Sequence, residues 1–378
     1  MGKQQMNSTG SLLLADYASG IAATDILDPS DINPILQGLY GEVGGIMSTS
    51  KKLIREKDAY PGFKRAAEEE FGDTLWYLAA LCRRLNFPFA DLVTEAGNGD
   101  GFRTVGAASD IADAPLAQVT MPTSSESPDV TLFKLGRSAA NLLGTNPDRA
   151  DIVIFARDYL RALHASKLTF ADVARANLRK ARGAFLEPTL HDLVDFDEHF
   201  PLEEQLPQSF RIRVNQRGSG RSYLQWHGVF IGDPLTDNIA DSDGYRFHDV
   251  FHLAYAAILH WSPVVRALIK HKRKSDPVYD ETQDSGRAIV VEEGLTAWIF
   301  SRAKELDFFA GQRRVSLGLL KTISEFVAGY EVSCCPLKLW ERAILDGYSV
   351  FRDMRSAQGG WVVGDRVSRT IRYEPLEA

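Results

Sequence analysis

Glu42, Glu70 and Asp73 are the residues whose types and spacing are best suited to chemistry. Glu70 and Asp73 lie in the run Arg65-Ala-Ala-Glu-Glu-Glu-Phe-Gly-Asp-Thr-Leu-Trp-Tyr-Leu-Ala-Ala-Leu-Cys82, whose apolar residues from Thr74 to Cys82 go nearly all the way round a helical wheel. A helix of that kind is buried. The three-residue spacing puts Glu70 and Asp73 on one face, with Tyr77 a turn further on, while Phe71, Leu75, Leu78 and Cys82 fill the opposite face. Two carboxylates therefore point toward a protein interior, where they raise each other's pKa unless a cation or a basic partner neutralises them. Carboxylate oxygens are the ligands Mg²⁺ prefers. The run Glu68-Glu69-Glu70 alone would read as a solvated face, but Asp73 enters an apolar helix with no basic residue in the next turn.

The element that must face this helix is Leu36-Gln-Gly-Leu-Tyr-Gly-Glu-Val-Gly-Gly-Ile-Met-Ser-Thr-Ser-Lys-Lys-Leu-Ile-Arg55. On its wheel Glu42 lies near Ile46 and Thr49, and Gly45 occupies the next position one turn along. Its basic end, Lys51, Lys52 and Arg55, can hold an anion beside a metal ion.

Together these residues resemble the all-α nucleoside triphosphate pyrophosphohydrolases of the MazG and dimeric dUTPase type, whose pattern is E-x-x-E on one helix and E-x-x-D on the next. Here the pattern stands as Glu42-Val-Gly-Gly45 and Glu70-Phe-Gly-Asp73, embedded in Gly-Leu-Tyr-Gly-Glu-Val-Gly and Glu-Glu-Phe-Gly-Asp-Thr-Leu-Trp-Tyr-Leu-Ala-Ala-Leu. The resemblance implies a helical bundle in which Glu42, Glu70 and Asp73 ligate Mg²⁺, with Mn²⁺ as a substitute, and cleave a nucleoside triphosphate to the monophosphate and pyrophosphate. The second Glu of the first pair is Gly45, so three of four carboxylates remain, enough for one ion. That departure leaves open a regulatory protein that binds nucleotide without turning it over. Asn177-Leu-Arg-Lys180 resembles the Asn-x-x-Lys segment with which many family members touch the triphosphate, making Asn177, Lys180 and Arg182 candidate phosphate contacts. A basic helix end is an equally good account of them. Trp76 and Tyr77 are candidates for a base pocket and equally for core.

At 378 residues the chain exceeds the roughly 100–200 expected of one domain, so two are expected, 1–188 and 189–378. Its 44% hydrophobic and 25% charged residues are ordinary for a globular protein. A net charge of -7 argues against general binding of nucleic acid or an anionic membrane. Cys82, Cys334 and Cys335 offer neither a disulfide framework nor a zinc spacing and suit a reducing, cytoplasmic setting. No signal peptide and no membrane span is expected.

Taken in order, a polar start to residue 10 precedes a helix from Leu12 to Ala23, a break at Asp28-Pro-Ser-Asp31, the two acidic helices and a short helix from Phe89 to Ala96. Residues 97–129, rich in Gly, Ala, Ser, Thr and Pro, read as an inserted loop, either linker or lid. Helices return at Val130–Leu143, Ile152–Leu163 and Leu168–Arg182. Tyr77-Leu-Ala-Ala-Leu with Asn86-Phe-Pro-Phe-Ala-Asp-Leu is echoed by Tyr159-Leu-Arg-Ala-Leu with Leu168-Thr-Phe-Ala-Asp-Val. Aligned so, Ile152 and Phe155 replace Glu70 and Asp73, which suggests a silent second repeat in place of the partner subunit of a homodimer. Chance similarity of two amphipathic helices is the alternative.

The acidic stretch His191–Glu204 reads as a domain boundary. Beyond it an α+β accessory domain is expected, with a hairpin of Phe210–Val214 and Ser222–Ile231, late strands at Trp361–Val363 and Ser368–Tyr373, and helices near 245–260, 286–308, 314–331 and 336–356. It carries a second constellation, in which His248 and His252 lie four apart on one helical face with Asp249 adjacent and Glu292-Glu293 on a later helix. Two histidines at that spacing plus carboxylates can bind a metal ion; hydrogen bonding between helices is the plainer role. His260 and His271 sit at unpersuasive positions for ligands.

Overall fold

The computed structural model describes residues 12–60, 62–97, 115–119, 121, 125–144, 147–218 and 220–376. The chain divides into two compact units, Met1–Arg182 and Gly183–Ala378. It is mainly α-helical, with a small antiparallel sheet in the C-terminal part. Among the described residues no helix is long and apolar enough to cross a membrane.

In the first unit, α1 (Leu14–Thr24), α2 (Asn33–Glu56), α3 (Phe63–Arg84) and α4 (Phe89–Gly97) precede α5 (Pro128–Leu142), α6 (Arg149–Ala165) and α7 (Phe170–Phe185). Local chemistry sets their starts. The Asp31 carboxylate accepts the Asn33 N–H at 2.9 Å ahead of Pro34, and Asp148 accepts the Asp151 N–H at 2.9 Å. One short helical turn, Lys57–Ala59, separates α2 from α3, so the two run antiparallel. Their faces meet through glycine: a Cβ on Gly38 would lie 2.2 Å from the Tyr77 ring, and one on Gly45 2.0 Å from the Glu70 Oε2. The same register brings Glu42 level with Asp73.

The helices of the weak repeat pack on this pair. The Tyr159 hydroxyl donates to the Phe71 carbonyl at 2.9 Å, and the two rings meet edge-on at 5.7 Å. Ile152 and Phe155, at the positions aligned with Glu70 and Asp73, are fully buried. Most of the expected inserted loop, including 98–114, lies outside the described residues, as does the polar start. The part that is described is anchored: Leu116 is buried and donates its N–H to the Leu12 carbonyl at 2.8 Å. The last residues assigned to the loop are already helical, because Ser127 caps α5 and Pro128 opens it.

The second unit is built on a sheet of β1 (Ser209–Gln216), β2 (Ser222–Trp226), β3 (Val229–Leu235), β4 (Gly359–Asp365) and β5 (Thr370–Glu374), in the order β3-β2-β1-β4-β5 with every pair antiparallel. The expected single strand 222–231 is in fact two. His227 and Gly228 both take positive φ, 49° and 80°, which is the geometry of a two-residue hairpin turn. The late strands join the same sheet as expected, β4 on β1 and β5 on β4, with Gly364 opposite Phe210, whose ring lies 2.1 Å from where a Cβ would be.

Helices α8 (Asp249–Ala254), α9 (Pro263–Ile269), α10 (Pro277–Gln283), α11 (Gly286–Lys304), α12 (Leu317–Phe326) and α13 (Leu337–Ala357) complete this unit. The expected continuous helix 245–260 is a short 3₁₀ turn, then α8, then a π-helical turn at Tyr255–Leu259. The expected helix 314–331 is shorter, and α9 and α10, started by Ser262-Pro263 and Asp276-Pro277, are additional.

The acidic stretch read as a boundary is held inside the second unit. Asp197 is fully buried, pairs with Arg266 and accepts the Leu206 N–H at 2.8 Å; Asp195 pairs with Arg366 at 2.6 Å. Nearby, the fully buried Arg273 takes Asp284 through Nε at 3.1 Å and Nη2 at 2.7 Å, and Glu331 through Nη1 at 3.0 Å and Nη2 at 2.6 Å. Carboxylates that composition marks as linker-like are therefore the counter-charges of buried arginines.

Candidate functional site

In the first unit, α2 and α3 supply half-buried carboxylates from Glu42, Glu70 and Asp73, and α7 brings Asn177 and Lys180 to Asp73. The Lys180 ammonium lies 2.7 and 2.5 Å from the two Asp73 oxygens and 2.9 Å from Glu69. Asn177 donates its amide to Asp73 Oδ1 at 3.1 Å and accepts the Tyr17 hydroxyl at 2.9 Å. Burial pushes the Tyr17 pKa well up, so this hydroxyl remains a donor that orients the Asn177 amide. The side chain of Asn177 fits because residue 72 is glycine: a Cβ there would lie 2.9 Å from its own.

Residues predicted from two separate motifs thus share one cluster, with Tyr17 and Glu69 as members that sequence reasoning missed. The other candidates lie apart from it. Lys51, Lys52 and Arg55 are exposed at the end of α2, and Lys51 is about 13 Å along the helix axis from Glu42. Arg55 pairs with Glu56, and Arg182 is exposed. Trp76 donates its indole N–H to the Thr24 hydroxyl at 3.0 Å and touches Tyr77 edge-on at 5.0 Å, while Tyr77 rests on Gly38. Both aromatics join α3 to its neighbours, the packing alternative already open for them.

In the second unit, His248, Asp249 and His252 each offer a ligand atom, all within 4.8 Å of one another. The His248 Nδ1 lies 2.9 Å from the Tyr245 carbonyl, and the rings of these two residues stack at 4.3 Å. A carbonyl only accepts, so Nδ1 carries the hydrogen and the Nε2 of the neutral ring keeps its lone pair. The His252 Nδ1 meets Glu292 Oε1 at 2.8 Å. Glu292 is fully buried on α11 and also accepts the Ser262 hydroxyl at 2.6 Å and the Val264 N–H at 2.9 Å.

Both Nε2 atoms point at one oxygen, Glu293 Oε2, at 3.6 Å from His248 and 3.4 Å from His252. Burial alone would lower the His252 pKa; the Glu292 carboxylate overrides it and lifts the imidazole to about 10. Burial would raise Glu293, and the two histidines instead hold its carboxyl well below the usual range, whereas Asp249 is raised by burial that the histidines only partly offset. Glu292 is the member whose role the sequence left unassigned. By contrast, His260 Nε2 donates to the Arg366 carbonyl at 2.8 Å and His271 Nδ1 to the Gln205 carbonyl at 2.7 Å, which ties them to loops.

Comparison with known families bears on this second unit. Residues 191–377 match the model of the MazG C-terminal domain. No curated protein and no solved structure matches the chain. The relation to MazG therefore runs through the region read as an accessory domain, and not through the N-terminal half to which the acidic-helix resemblance assigned it. At a coarse level a MazG-related chain is compatible with a nucleotide hydrolase. The histidine cluster lies within the part matched to the MazG C-terminal domain, and the acidic cluster lies outside it.

Proposed function

We propose that the protein is a Mg²⁺-dependent nucleoside triphosphate pyrophosphohydrolase whose site is formed by Glu42, Glu70 and Asp73. The observation that carries this reading is a lysine ammonium from α7 held at 2.5–2.7 Å by Asp73, one turn along α3 from Glu70, which packs on Gly45 of α2. A cation is already needed there, and the donor set, carboxylate oxygens from two helices, suits Mg²⁺ or Mn²⁺. Glu70 reaches over Gly45 into the space a fourth carboxylate would occupy, so the residues suit a single ion. When bound, that ion would screen the phosphate charge during attack on the α-phosphorus.

The chain's own groups do the rest. Lys180, released from Asp73, neutralises the phosphates, and Asn177, steadied by Tyr17, holds their position. A carboxylate not engaged with the ion orients the water and takes its proton as the water oxygen bonds the α-phosphorus and the bond to the bridging oxygen breaks; monophosphate and pyrophosphate leave. A substrate of this kind needs neither nucleic acid nor membrane. Domain assignments, dimer formation and a cytoplasmic location remain part of the proposal.

Incubating the full chain with each NTP and dNTP in Mg²⁺ and measuring pyrophosphate tests it. Release that Glu70→Ala abolishes is the expected result. The Gly45 arrangement favours one rival, a nucleotide-binding regulator on the same scaffold. Tight binding without turnover, with activity appearing on Gly45→Glu, would establish that rival and overturn the enzyme.

A further inference from the structure

We infer that His248, Asp249, His252 and Glu293 form a transition-metal site of the zinc class in the second unit, independent of the acidic cluster on α2 and α3. Each histidine uses Nδ1 to bond the protein, to Tyr245 and to Glu292, which fixes the ring and directs Nε2 into the same space. Hydrogen-bonded rings of this kind, with a carboxylate or carbonyl behind each, are how metal-binding histidines are oriented.

The His252 Nε2 is fully buried and has no hydrogen-bond partner. Its nearest polar neighbour, Glu293 Oε2, is 3.4 Å away, and the same oxygen is 3.6 Å from His248 Nε2. Those separations are long for hydrogen bonds but suit ligands of a common ion. Atoms about 2.0–2.1 Å from zinc in a tetrahedron lie about 3.3–3.4 Å from one another. Asp249 adds a donor that lies within 4.8 Å of a ligand atom of each histidine, and Glu293 faces the two histidines from α11. Asp249 and Glu293 balance a dication held with neutral imidazoles, and the buried Glu292 carboxylate behind His252 adds a further negative charge that favours a cation here. Nitrogen donors favour zinc, cobalt or nickel over magnesium. Glu293, 41% exposed, is the side from which the ion enters.

The site joins α8 to α11, so its occupancy should stabilise this unit. The test uses the full chain carrying Glu70→Ala, which removes a carboxylate of the other cluster, freed of metal by a chelator and titrated with Zn²⁺ and separately with Co²⁺. The expected result is one tightly bound Zn²⁺ per chain, a rise in melting temperature, and the intense visible bands of Co²⁺ in a nitrogen-containing tetrahedral site. Adding His248→Gln removes the tight equivalent, and adding Glu292→Gln, which replaces the carboxylate behind His252 by a neutral amide, weakens it about 10–100-fold. Should His248→Gln fail to fold, Glu293→Gln at the exposed edge decides in its place. No tight uptake, uptake unchanged by these substitutions, or only the weak bands of octahedral Co²⁺ would overturn the site. None of these outcomes depends on nucleotide hydrolysis.

Discussion

The contact between Gly45 and Glu70 allows the proposed ion to be tested through stability rather than turnover. A Cβ at residue 45 would lie 2.0 Å from Glu70 Oε2, so any larger side chain displaces that carboxylate along the helix face and remains beside it. Gly45→Glu and Gly45→Gln have nearly the same shape and the same helical advantage over glycine, and differ by one charge. Two carboxylates about 4 Å apart repel by about 1 kcal/mol in water and about 4 kcal/mol at the effective dielectric of a protein surface. Glu70 is half-buried, so a difference of about 2 kcal/mol is expected without divalent ions. For a unit of this size that places Gly45→Glu about 4–8 °C below Gly45→Gln in melting temperature. Millimolar Mg²⁺ should close or reverse the gap, and NaCl at equal ionic strength should close it only slightly. Melting followed by circular dichroism in chelator, NaCl and Mg²⁺ gives all three values. Equal melting of the two variants in chelator, or a gap that Mg²⁺ leaves intact, would refute the reasoning that these carboxylates share an ion.

Other outcomes follow from buried charge. Arg273→Met strands Asp284 and Glu331 inside the second unit and should cost about 3–5 kcal/mol, read as a lowered urea midpoint by tryptophan fluorescence; adding Asp284→Asn should recover part of that loss. Asp25 on the first unit has a buried carboxylate held by Arg83 and Arg84; burial would raise its pKa, but hydrogen bonding to Arg84 holds it below its ordinary value. Its contribution is therefore complete above the unfolded value near 3.9 and is lost as pH falls through the lower folded value. Asp25→Asn should remove that part of the acid dependence of unfolding, measured by circular dichroism between neutral pH and strong acid.

Much of the candidate chemistry was legible because it is helical. Three- and four-residue spacings on α3 and α8 place side chains on one face whatever the surroundings, so Glu70 with Asp73 and His248 with His252 emerged from period alone. The mainly α class and the late strands emerged from patterning in the same way. Tyr17 and Glu69 did not, and Glu292 was named without a role, because each joins its site through contacts 40–160 residues away that no local pattern encodes. The part played by the acidic stretch near residue 195 was hidden for a related reason: composition reports charge, and only the fold shows that Asp197 and Asp195 pair with arginines 266 and 366. The break after Trp226 was hidden because a two-residue turn at His227-Gly228 leaves the apolar alternation on either side almost undisturbed.

The capture of Asp195 and Asp197 by Arg366 and Arg266 also dictates where the polypeptide can be severed. A protease nick or a shortened version that begins after residue 197 would discard anions on which guanidinium groups far downstream depend. Such a fragment would retain every strand and long helix of the second unit and still be compromised in its interior. Cuts placed ahead of residue 191, by contrast, spare that wiring.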